Sequence, residues 1–128
     1  MKEDRIMTIQ ACYQQMGGDY AQVQQRLPSA RLIEKFVAKF LEDGSFAELR
    51  QAMQSGQREA AFRAAHTLKG VCANLSFTKL LASASRLTEL LRPEADVIPA
   101  EAAALMETVA QDYELTVSTI RVYLDSAH

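Results

Sequence analysis

Residues 57–75 read QREAAFRAAHTLKGVCANL, and placed at about 100° per residue they separate into two faces. One face is wholly apolar and carries Ala61, Ala64, Ala65, Leu68, Val71, Cys72 and Leu75. The opposite face centres on His66 and holds Glu59, Phe62, Arg63, Lys69, Gly70 and Ala73. Such a segment is an amphipathic helix that has to bury one side against other helices. His66 then points away from the core.

The remaining chain divides into helices of the same kind. Gly (5) and Pro (3) are scarce and Trp is absent, while Ala, Leu, Gln, Glu and Arg recur, all residues that favour helix. A first helix over about residues 5–16 ends at Gly17-Gly18, and Asp19 caps a short segment through Leu27. Pro28-Ser29 breaks the chain, with Ser29 as N-cap of a helix whose Leu32, Ile33, Phe36, Val37, Phe40 and Leu41 recur at helical spacing. After Asp43-Gly44, Ser45 and Glu48 have the spacing of a capping box for a helix through Gln54. Ser55-Gly56 separates it from 57–75, and a further helix over 77–92 ends at Pro93. Pro99 fits the first turn of a last long helix, where Leu105, Val109, Tyr113, Val117, Ile120 and Leu124 trace one side.

With short connections, sequential helices pack antiparallel. The fold expected is all-α: an antiparallel up-and-down four-helix bundle with additional short N-terminal helices. A chain of 128 residues, 48% hydrophobic, fits one domain over 1–128, with a bundle core at about 29–124 and N-terminal helices at 5–27.

Several classes of function are disfavoured. A net charge of −2 gives no broad basic field for a phosphate backbone, so nucleic acid is not an expected partner. No run of about 18 apolar residues appears, and the polar start of the chain does not resemble a secretion signal. The expectation is a cytoplasmic protein with no membrane association. Cys12 and Cys72 lack the close Cys or His neighbours of zinc and redox motifs and are read as reduced packing residues; no metal site is expected. Only two histidines are present, which argues against a metal- or haem-binding bundle.

The chemistry centres on His66. Lys69, three residues on, places an ammonium beside the imidazole, where it attracts an incoming phosphoryl group. Gly70, inside an Ala-rich helix, costs on the order of 1 kcal/mol relative to Ala. Its position on the His66 side, not the buried side, makes clearance for an approaching partner the compensating benefit, and Ala73 extends the cleared strip. Phe62, one turn before His66, is either a partner anchor or the edge of the core. Arg63 is either a further cation for the site or an ordinary solvated charge.

The run Ala65-His66-Thr67-Leu68-Lys69-Gly70, followed by Val71-Cys72-Ala73-Asn74-Leu75, resembles the signature of the histidine-phosphotransfer family, A-H-x-L-K-G. Phe36 to Gly44 look like the helix and turn ahead of that motif, and Leu80, Leu87 and Leu91 like the helix behind it. The resemblance implies a phosphorelay carrier that is not itself an enzyme. His66 would be the phosphoacceptor, exchanging a phosphoryl group with the phospho-aspartate of a response-regulator receiver domain. Lys69 would stabilise the phosphate, Gly70 and Ala73 would admit the partner, and Phe62, Arg63 and Thr67 would be contact residues. No cofactor is implied for the chain itself, the Mg²⁺ and most catalytic groups belonging to the receiver. A hybrid histidine kinase is a further partner the resemblance allows, and the carrier is expected to be a monomer.

Many family members also have a polar side chain on the next helix that hydrogen-bonds one ring nitrogen. Thr88 is the candidate; the alternative is a threonine bonded to its own backbone one turn earlier. Where the family usually has Gly in the turn after the motif helix, this chain has Ser76, which is a candidate cap for the next helix. Two other assignments are compatible with the motif: a chemotaxis-kinase-type input domain phosphorylated in trans by an ATP-binding kinase domain, and a non-catalytic helical adaptor for receiver domains.

Overall fold

The computed structural model describes residues 6–94 and 96–127, and all regular structure among them is helical. The elements are α1 (Ile9–Gln15), α2 (Tyr20–Arg26), α3 (Ala30–Phe40), α4 (Ser45–Gln54), α5 (Arg58–Leu75), α6 (Thr78–Leu90) and α7 (Glu101–Ala127). The breaks fall where the sequence placed them. Gly17 has φ 74° and Gly56 φ 69°, the left-handed conformation that closes the preceding helix without a Cβ penalty. Asp19 and Ser29 cap α2 and α3, their side chains accepting from the Gln22 and Leu32 amides at 3.0 Å each.

Three helix starts differ from expectation, each for a local reason. Residue 5 lies outside the described residues, and α1 begins only after Thr8, whose hydroxyl accepts from the Ala11 amide at 3.0 Å. Ser45 and Glu48 form no capping box. Ser45 is already inside α4 and Gly44 is the N-cap; Asp43 Oδ1, one residue further out, accepts from the Ser45 amide at 2.9 Å and from the Ser45 hydroxyl. Pro99 stands ahead of α7 instead of in its first turn; its carbonyl accepts from the Ala102 amide at 3.0 Å.

α5 packs against α4 on one side and α6 on the other, and α6 packs against α7. Its predicted apolar face is the one buried: Ala61, Ala64, Ala65, Leu68, Cys72 and Leu75 are all in the core, with Val71 at the edge. Small alanines along the first half of that face let neighbouring helices approach closely. Tyr113 of α7 stacks on Phe46 of α4, ring centroids 4.0 Å apart and planes 10° from parallel, which ties the last helix to the first of this set. The buried side of α7 includes Ala102, Asp112, Thr116, Thr119 and Tyr123 beside the predicted Val109, Val117 and Ile120. Leu105, Tyr113 and Leu124 flank it, half-buried. Phe36, expected in the core stripe of α3, is instead 38% exposed and lines a pocket of about 370 Å³ with Leu27, Phe40, Val71 and Leu75.

The N-terminal helices share this core. Cys12, Tyr13, Met16 and Val23 are buried, and α1 packs on α7 while α2 packs on α3 and α5. Their anchor is the end of α5. Ser76 does not cap α6; it is the C-cap of α5, left-handed at φ 56° and fully buried. Its hydroxyl accepts from the Arg26 guanidinium and donates to Gln22 Oε1 at 2.8 Å, and its carbonyl accepts from the Asp19 amide at 2.9 Å. Arg26 also donates to the carbonyls of Ala73, at 2.7 Å, and Asn74, at 3.1 Å, and the Tyr13 hydroxyl to that of Leu75 at 2.8 Å. Carbonyls that a helix end leaves without an intrahelical partner are thereby satisfied by side chains of α1 and α2. The same bonds hold a non-glycine residue in a conformation disfavoured for it.

Cys12 and Cys72 are both free and buried, and burial pushes each thiol up to about 12. At about pH 8 neither is expected to react with a thiol-specific disulfide reagent until the chain is unfolded in urea. Rapid modification of either thiol in the folded protein, followed by absorbance, would contradict this packing.

Candidate functional site

α5 carries the candidate site because its buried side leaves the opposite side no helix to meet. His66, Gly70 and Ala73 are exposed along one strip of that helix, and Lys69 is half-buried beside it. Arg63 and Thr67 are exposed on the flank towards α4. The Thr67 hydroxyl donates to the Arg63 carbonyl at 3.0 Å, and Arg63 forms an exposed ion pair with Glu59 at 3.1 Å. In that pair Arg63 behaves as a solvated surface charge with its own counter-ion.

A Cβ built on Gly70 would meet nothing within 4 Å. The fold itself therefore has no need of glycine here, in contrast to Gly18, where a Cβ would lie 2.7 Å from the Tyr13 ring and 3.0 Å from the Ser76 carbonyl. A helix-interior glycine with open space in front of it lowers the profile of the surface without serving internal packing.

Phe62 lies at the edge of the core, the second of the roles considered for it. It is half-buried against the core, and its ring lies 6.0 Å from the His66 ring, centroid to centroid, with the planes 20° apart. Thr88 takes the alternative role. It is fully buried and its hydroxyl donates to the Ala84 carbonyl one turn earlier at 2.7 Å, so its proton is committed to the backbone and it makes no hydrogen bond to His66.

Two residues complete the face that were not singled out from sequence. The Arg92 guanidinium lies over the Phe62 ring, 5.6 Å from its centroid, on the side of the molecule that carries His66. Glu89 grips it in a two-pronged ion pair, Nε to Oε1 and Nη2 to Oε2 at 3.0 Å each. The hydrogen-bonded Arg92 guanidinium holds the Glu89 carboxyl below the usual carboxylate range, assisted by the charges of Arg92 and Lys69. The i, i+3 spacing of Glu89 and Arg92 was visible in the sequence as a possible surface pair. Its place over Phe62 depends on how α6 lies against α5.

Chemically, the arrangement offers an accessible imidazole nucleophile on a rigid helix, a near ammonium, an arginine one ring away and an open approach. Among the described residues no group of three His, Cys, Asp or Glu side chains is placed to hold a metal ion.

The family model described as Hpt domain matches residues 31–119, more than half of the chain. No curated protein and no solved structure gives a match.

Since Gly70 meets nothing, Gly70→Ala is expected to stabilise the folded chain by roughly 1 kcal/mol, the helix-propensity difference. Urea unfolding followed by circular dichroism measures it. A destabilised variant would show that Gly70 serves packing.

Proposed function

The chain belongs to the Hpt domain family, whose domains serve histidine phosphotransfer in two-component signalling, and on that premise we propose that His66 is its phosphoacceptor and a receiver domain its partner. The observation that carries this reading is the His66 strip itself: an exposed imidazole with Lys69 one turn on and an open glycine beside it. In the transfer, a free ring nitrogen of His66 attacks the phosphorus of an aspartyl phosphate in line. The P–O bond to the aspartate breaks, the P–N bond forms and the aspartate leaves as carboxylate; the return step reverses these events. Lys69 offsets charge on the phosphoryl oxygens, while Gly70 and Ala73 let the receiver's surface come close enough for in-line geometry.

In this reading the chain is a carrier, not an enzyme. It presents a nucleophile and a shaped surface, and the receiver brings Mg²⁺ and the groups that activate the aspartyl phosphate. In this reading α3 to α7 make up the bundle core of that carrier, and the short α1 and α2 are its additional N-terminal helices. No helix among the described residues is long and apolar enough to cross a membrane, which is consistent with a cytoplasmic relay protein.

Incubation with a receiver carrying radiolabelled aspartyl phosphate is expected to label the chain at one site, as an acid-labile, base-stable adduct. His66→Gln should abolish the label; equal labelling of that variant would refute the assignment. Gly70→Gln should retain the helical circular dichroism of the parent yet accept label at least an order of magnitude more slowly, because a long side chain fills the strip the receiver needs. Undiminished transfer in that variant would remove Gly70 from the docking surface.

A further inference from the structure

The His66 face carries its own anion. Arg92 reaches the face over Phe62, whose ring is the neighbour of the His66 imidazole, yet both its prongs are spent on Glu89. Lys69, another cation of the face, also feels Glu89's charge. Glu89 and Arg92 are exposed, with side chains 58% and 46% accessible, so the pair is open to exchange with another anion and holds no buried charge. On the far side of the strip, Arg63 is similarly tied to Glu59, but no ring contact links that pair to His66.

We propose that Glu89 is an internal competitor for the phosphoryl group: its carboxylate holds Arg92 in the unphosphorylated chain, and a phosphoryl group on His66 takes Arg92 from it. This rests on His66 being the phosphoacceptor. The exchange is favoured because a phosphoryl group brings close to two negative charges and three acceptor oxygens, against the single charge of the carboxylate. The long arginine side chain, lying over an aromatic ring and not locked in the core, can swing while its planar group stays on Phe62. Glu89 is then a positioning residue that sets how firmly the carrier keeps its cargo. Breaking the P–N bond draws negative charge from the outer oxygens towards the leaving imidazole, so a guanidinium on those oxygens favours the intact adduct. By retaining Arg92 part of the time, Glu89 keeps the adduct labile enough to pass on.

The test uses phosphoramidate, a small donor that gives its phosphoryl group to the imidazole and releases ammonia, so that no partner protein is involved. Phosphohistidine half-lives are measured for the parent, Glu89→Gln, Arg92→Ala and the double variant. Glu89→Gln is expected to lengthen the half-life several-fold and Arg92→Ala to shorten it several-fold. The double variant should decay like Arg92→Ala, because Glu89 acts through Arg92, and Arg92→Lys should recover part of the loss. In the parent, the Arg92 side-chain N–H resonance should move on phosphorylation. Equal half-lives for parent and Glu89→Gln, an effect of Glu89→Gln that persists without Arg92, or an unmoved Arg92 resonance would each overturn the competition while leaving His66 as carrier. No adduct on His66 in the parent would overturn both.

Discussion

The constraint on which the rest of this structure depends is that α5 has a single side it can bury. Ala61, Ala64, Ala65, Leu68, Cys72 and Leu75 occupy that side, and the hydrophobic effect places it between α4 and α6. His66 lies diametrically opposite, so the force that packs the bundle also presents the histidine to solvent. A rotation of α5 that hid His66 would expose this apolar set, at a cost of about 0.8 kcal/mol for each methylene-sized group returned to water. The site is therefore held in orientation by the core, without a hydrogen bond from Thr88.

The second dependence is axial. The motif helix ends at Ser76 in a left-handed turn, and the bonds that satisfy its terminal carbonyls come from Arg26, Tyr13 and Asp19 in and beside the N-terminal helices. These helices are thus a clamp on the end of α5 as well as a cover for the core. Where glycine would adopt the left-handed conformation freely, this chain uses a serine whose hydroxyl has both an arginine donor and a glutamine acceptor. The turn gains specific partners in exchange for backbone freedom.

On the surface, the face around His66 balances its charges locally. Arg63 is paired with Glu59 and Arg92 with Glu89, while Lys69 stands half-buried one turn after the histidine. Surface pairs of this kind add little to stability. In the exchange proposed above, the Glu89–Arg92 pair sets how much positive charge is free when a phosphoryl group is carried on His66.

Much of this was legible in the sequence because it depends on periodicity and local stereochemistry. The helical stretches, the glycine stops at Gly17 and Gly56, the caps at Asp19 and Ser29 and the two faces of α5 are encoded within a few residues of where they occur. His66, Lys69 and Gly70 could be placed on one strip for the same reason. What the tertiary structure alone decided concerns contacts between segments distant in the chain. It gave the role at Ser76 to Arg26 and Gln22, which lie some fifty positions earlier, and brought Arg92, just past the end of the next helix, over Phe62. It also turned Phe36 to the rim. A single amphipathic pattern fixes which side of a helix is buried; its tilt and height against its neighbours depend on how all the side chains interlock. Those two quantities determine which remote residue reaches the ring beside the histidine.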